Sequence, residues 1–240
     1  ITSSDSATTA ITLGESAVGK ITGDIAFNGT STANWTFADN SSLALVGSLD
    51  NATSTATTIA LEGNSSLKIS QNFSNSNGEL NLTLAGNSSL AFTTLSNQGT
   101  ATLALNGASS VAGDISTTAG SMAITFGANG SITGDISTSG SGISTAISLN
   151  DGANATITGS INNSNDATTT LTYSTGNATL TLKGGTQEIS TLNLSANNST
   201  SILNLANSTT TIGNPTLTLD SSKNLNVNID STSSLTLASV

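Results

Sequence analysis

An apolar pair with one residue between its members recurs along this chain every 21–25 residues. That period restricts the possible folds more than any other feature. The pairs are Ile11/Leu13, Trp35/Phe37, Ile59/Leu61, Leu82/Leu84, Leu103/Leu105, Ile124/Phe126, Ile147/Leu149, Leu171/Tyr173, Leu192/Leu194 and Leu217/Leu219, with Leu235/Leu237 as a truncated eleventh copy. A second apolar anchor follows each pair: Ile21, Leu43, Leu67, Leu90, Val111, Ile132, Ile157, Leu180, Ile202 and Leu225. Between pair and anchor lies a turn. Six turns place Asn three residues before the anchor, at Asn40, Asn64, Asn87, Asn129, Asn154 and Asn177.

Apolar residues alternating with period two read as strands buried on one face. Gly, Asn and Ser between them read as tight turns. A unit near 23 residues holds two or three short strands, which is one coil of a solenoid. The expected fold is all-β: a single-stranded, right-handed parallel β-helix (β-solenoid) of about ten coils of 21–25 residues. Right-handedness is the strong default for parallel crossovers. One repeat domain is expected over 1–240; neither end offers an amphipathic helix to cover an open coil, so the expectation is a segment of a longer chain or a rod that stacks on another molecule. Asn in the turns is expected to take the left-handed backbone region and to stack amide on amide from coil to coil. The single Pro215 falls just before a strand pair, where a missing N–H matters least.

Composition enters as a possible objection. Ser, Thr and Asn fill 111 of 240 positions, and such polar chains are commonly disordered. Here 35% of residues are hydrophobic and only 8% charged, and the aliphatics keep strict phase, so a packed column is the better reading. The net charge of −10, with four Lys and no Arg, argues against nucleic acid and against anionic membranes. No apolar run reaches spanning length, so no membrane insertion by this segment is expected. Without Cys or His, neither a disulfide framework nor a zinc site is available.

The phrases "LAGNSSLAF" (84–92), "VAGDIST" (111–117) and "GNATLTLKGG" (176–185) give the chain its style. In that style it resembles the passenger region of bacterial type V autotransporters. It is similar to the vacuolating-cytotoxin-like and adhesin-like passengers of Helicobacter and its relatives. The resemblance implies export to the cell surface of a Gram-negative bacterium and a C-terminal membrane barrel outside these residues. It carries over no functional residue.

Candidate chemistry is sparse. Asp24, Asp114 and Asp135 share a Gly-Asp-Ile phrase, and the last two fall in adjacent coils. They could form a stacked carboxylate pair or a weak calcium site. Asp also readily satisfies turn N–H groups, and that is the expected role. Acid–base work on polysaccharides pairs carboxylates with Arg, Lys or His, and no such pairing is visible. Ser137 to Gly142 lacks the Lys and helix of a phosphate loop. Acidic-x-Asn patterns at Glu62-Gly-Asn64 and Glu79-Leu-Asn81 occur about as often as chance allows. Thr30, Thr32, Thr53, Thr55 and Thr57 hold no single phase for an ice-binding array. Trp35, Phe37, Phe73, Phe92, Phe126 and Tyr173 could make a carbohydrate platform, but inward phases point to core packing.

No catalytic, cofactor or metal residue is assigned. The expectation is an extracellular structural or adhesive rod that is not an enzyme. Its partners would be host or bacterial surface glycans or proteins, or other copies of itself. A fibre subunit stacked end to end and, further off, a polysaccharide-acting enzyme are the alternatives.

Overall fold

The computed structural model describes residues 1–53, 55–174, 176–194, 199–216 and 223–238. The chain is the all-β, right-handed solenoid expected from the repeat. Among the described residues there is no helix, and every strand pairing is parallel. Each coil has three faces. The first carries the apolar pair, as in Ala56–Leu61, Glu79–Gly86 and Thr100–Gly107. The second carries the anchor, as in Ser42–Val46 and Ser66–Ile69. The third closes the coil, as in Leu49–Thr53 and Phe73–Asn75.

Registry on the first face is continuous. Ile11, Trp35, Ile59, Leu82, Leu103, Ile124, Ile147, Leu171 and Leu192 stack in one column. Leu61, Leu84 and Leu105, whose spacing defined the repeat, stack in the next column and are fully buried. Among the described residues ten strands stack on this face, and their nine steps span about 43 Å at roughly 4.8 Å per step. The core is the shared interior of the three faces, lined by Leu, Ile, Val and the aromatics. Phe27, Trp35 and Phe37 cluster at one level, with Phe27 edge-on to Trp35 at 6.1 Å.

Three corners join the faces, and glycine columns build them. Gly63, Gly86 and Gly107 stack between the first and second faces. Gly113, Gly134 and Gly159 stack between the second and third, and Gly78, Gly99 and Gly120 between the third and first. In each column a Cβ on the upper glycines would come within 3.0 Å of backbone in the coil beneath. Coils approach this closely only where no side chain intervenes.

Several details differ from the sequence expectation. At the turns it is Gly63, Gly86 and Gly176, each just before the Asn, that take positive φ; only Asn40 does so itself. The reason is close approach: the turn residue facing the neighbouring coil has no room for a Cβ. The amide ladder exists over Asn40, Asn64 and Asn87, linked at 3.2 and 3.0 Å.

The anchors drift in phase after Ile157. Ile157 pairs with Leu182, not Leu180, and Leu203 and Leu205 are the buried residues, while Ile202 faces outward. Ile21 likewise sits under Leu45, leaving Gly19 under Leu43. Where two aliphatics two apart both point inward, spacing alone cannot say which matches its neighbour. Pro215 lies inside strand Thr209–Thr216, opposite Leu192, and not ahead of a strand. Leu217 and Leu219 lie outside the described residues. Leu235 and Leu237 pair with Thr210 and Ile212 on the third face, so they are not an eleventh copy of the first-face pair.

The interior also holds polar columns that alternation did not reveal. Asn51, Asn75 and Asn97 stack in register on the third face, fully buried. Asn51 Nδ2 donates to Asn75 Oδ1 and Asn75 Nδ2 donates to Asn97 Oδ1, both at 2.7 Å. Asn97 Nδ2 donates to the Ser121 carbonyl at 2.9 Å, and Thr57 Oγ1 donates to Asn51 Oδ1 at 2.8 Å. Thus the ladder meets its own hydrogen-bonding needs within the core. At another corner Ser41, Ser65, Ser88 and Ser109 form a buried column.

Candidate functional site

Turns leave backbone N–H groups without a sheet partner, and these must be satisfied by something. Here the answer is a side chain reaching to the neighbouring coil. Asp24 Oδ1 accepts from the Ser48 amide (2.8 Å), Asp114 Oδ1 from Asp135 (2.9 Å) and Asp135 Oδ1 from Ser160 (2.7 Å). The three Gly-Asp-Ile acids are therefore corner fasteners acting between coils, one step further than a turn capping itself. Asp39 and Asp151 do the same at another corner, accepting from the Asn64 and Asn177 amides at 2.7 and 2.8 Å. No shared phrase marks Asp39 and Asp151 in the sequence. Among the described residues no group of three or more acids converges as a metal site.

Asp230 faces the other way along the stack, accepting from the amide of Asn207 in the preceding coil at 3.0 Å. Hydrogen bonds from the Ser233 and Thr232 side chains and from the Thr232 and Asn207 amides outweigh its desolvation. They lower its pKa from 3.8 to about 2. A depressed carboxylate stabilises the fold fully above its unfolded value, and that contribution is lost as pH falls through the folded value. Amide exchange at Asn207, corrected for intrinsic rate, is expected to accelerate between pH 3.8 and about 2. In Asp230→Asn it should be flat across that window.

The aromatic residues are core. Trp35, Phe37, Phe73, Phe126 and Tyr173 are at most 1% exposed and Phe92 7%, so they form no outward platform. Tyr173 donates its hydroxyl to the Ile202 carbonyl at 2.9 Å, and burial pushes its pKa up. Thr53 and Thr57 are fully buried and cannot belong to an outward hydroxyl array. Asn64 is tied into its corner, while Asn81 stands half-exposed on the first face, donating to Glu79 Oε1 at 2.8 Å.

One place departs from the smooth rod. Nine residues carry the chain from Ile161 to Thr170, around the corner between the third and first faces. The coil above covers the same path, Gln187 to Thr191, in four. That coil therefore lacks the projecting turn and cuts the corner within one strand, Thr186–Leu194. The next coil keeps the shortcut, with Ile189 under Ile212 and Thr191 under Asn214. A groove of about 340 Å³ results, lined by Asn163, Glu188, Ile189, Ser190, Thr211 and Gly213.

The chemistry of the groove follows from the cut. Asn163 continues the inward polar position of Thr138, but without a full corner above it is half-exposed. Glu188 covers it. Glu188 Oε2 accepts from the Asn163 amide at 2.6 Å, and the Glu188 carbonyl accepts from Asn163 Nδ2 at 2.7 Å. Ser190 Oγ accepts from the Thr169 amide at 3.1 Å, and Thr169 Oγ1 donates to Asn163 Oδ1 at 2.8 Å. Among the described residues only Oε2 of Glu188 accepts a hydrogen bond, which leaves the other oxygen as an acceptor beside the hydroxyls of Ser190 and Thr211. The sequence shows a 21-residue step from Leu171 to Leu192, but steps of the same length at Leu82 and Leu103 leave their corners intact. Coil length does not tell which corner is shortened.

No protein family, curated protein or solved structure matches this chain.

Proposed function

We propose that this protein is a structural and adhesive rod displayed on the surface of a Gram-negative bacterium, acting by binding or assembly and not by catalysis. The observation that carries this reading is a closely stacked, uncharged surface of small side chains, most of them hydroxyls. The outward column Thr12, Thr36, Ala60, Thr83, Ala104, Thr125, Ser148 and Thr172 runs in register and carries no charge. Lys20, Lys68 and Lys183 all stand on the second face, and the corner acids Asp24, Asp114 and Asp135 each tie one oxygen to an amide of the neighbouring coil. A partner meeting such a surface makes many weak contacts at a fixed repeat, which suits avidity. The partners that fit are glycans or proteins of host or bacterial surfaces, or further copies of the rod.

Electron microscopy of the purified chain, with binding to host cells and labelling of intact source cells by antibody, tests the reading. Short single rods that adhere saturably, and a label reaching unpermeabilised cells, are expected. Antibody access only after permeabilisation overturns the surface role. Polysaccharide turnover that disappears in Asp114→Ala overturns the non-catalytic one.

A further inference from the structure

We infer that the corner groove at Glu188 is a binding site for a neutral sugar. The inference rests on the adhesive reading above and supplies the ligand for it. It begins with Gly213. The upper glycines of the corner columns are imposed by the fold, since a Cβ on Gly86, Gly107, Gly99, Gly120, Gly134 or Gly159 would strike backbone within 3.0 Å. Gly213 is under no such constraint: its φ is ordinary, and an added Cβ would meet its nearest neighbour, the Ser190 carbonyl oxygen, at 3.4 Å. A side chain there would instead project into the groove. Its absence keeps open a recess that the shortened corner created.

What the recess offers is a carboxylate oxygen and the hydroxyls of Ser190 and Thr211; Ile189 turns its side chain into the core, and Asn163 is held by Glu188 and Thr169. A carboxylate accepts from adjacent hydroxyls, and hydroxyls both donate and accept, which matches the rim of a sugar ring. The volume of about 340 Å³ is at the small end of ligand sites, about 300–1,000 Å³, and suits a single ring or the end of a short glycan. Glu188 and the net charge of −10 disfavour acidic sugars. A calcium ion, which takes about 6–8 oxygens, finds only one carboxylate in the lining.

The test is titration of the purified chain with methyl glycosides of neutral hexoses and N-acetylhexosamines, followed by NMR. Sialic acid and Ca²⁺ serve as comparison ligands, and cell adhesion is measured in parallel. Saturable shifts with one or more neutral glycosides are expected. Gly213→Leu should abolish them, and Glu188→Gln, which can still accept from Asn163, should weaken them roughly tenfold or more. Thermal melts establish that both variants fold, and Thr133→Leu on the second face should bind as the native chain does. The proposal is overturned if no neutral glycoside binds, if Gly213→Leu binds equally well, or if only Ca²⁺ or sialic acid shifts the groove. Adhesion of native chain and Gly213→Leu alike removes the groove and leaves the adhesive rod standing. Sugar binding without adhesion does the reverse.

Discussion

Asn75→Leu is expected to lower the unfolding free energy by about 2–6 kcal/mol, a large share of the roughly 5–15 kcal/mol typical of a whole domain. Asn75 is fully buried between Asn51 and Asn97, donating to one and accepting from the other. Replacing it strands the Asn51 Nδ2 donor and the Asn97 Oδ1 acceptor away from water. Each stranded group costs about 1–3 kcal/mol.

The sharper test is the triple variant with Leu at positions 51, 75 and 97. It removes the amides from both ends of each broken bond, so fewer polar atoms are left without partners. Its cost is expected to fall well below the sum of the three single substitutions, and below that of Asn75→Leu alone if the column repacks. Urea titrations of the four variants decide this. If the triple variant costs as much as the three singles together, the ladder is not the coupled unit described above. What the ladder adds is registry. A coil slipped by one residue would set an amide against outward-facing neighbours and lose both of its bonds, whereas one aliphatic row slides past another with less loss.

The contrast between ladder and aliphatic rows also explains how much was legible beforehand. Leu61, Leu84 and Leu105 announce themselves because strict alternation and a steady period survive from coil to coil, and they do stack. Asn51, Asn75 and Asn97 share a phase too, but inward polar residues look like a break in the alternation when only hydrophobicity is scored. Phase itself is lost wherever corner lengths vary. Ile202 has the spacing of an anchor and points outward, because Leu203 and Leu205 hold the inward positions. The Gly-Asp-Ile acids were expected to satisfy turn amides and do so, but toward the next coil, a partner more than 20 residues away. The groove was hidden for a related reason. It arises from residues that are missing, at a corner that only three-dimensional registry can locate.

Gly134→Ala is the second substitution with a large expected effect, because it combines two independent obstacles. The backbone at Gly134 has φ of +141°, a conformation that L side chains rarely adopt, and holding one there costs about 1–3 kcal/mol. The new Cβ would also fall within 3.0 Å of the Gly113 carbonyl oxygen, and a carbonyl in a paired strand cannot swing aside as a flexible side chain can. Relief requires the two coils to separate at this corner. That in turn stretches the bond from the Asp135 amide to Asp114 Oδ1, which spans the same step. The expected loss is about 3 kcal/mol or more, concentrated in the middle of the stack. Coils contribute to stability through their immediate neighbours, so a wedge there should split unfolding into two transitions. Gly14→Ala is the matched comparison, with an ordinary φ and nothing within 4 Å of the added Cβ. It should be neutral, or stabilise by about 0.4–1 kcal/mol through the unfolded chain. Urea melts followed by circular dichroism, with amide exchange at Asp135 and Ser160, read both effects. Equal midpoints for Gly134→Ala and Gly14→Ala would mean that the coils do not touch at this corner, and the glycine columns would lose their explanation.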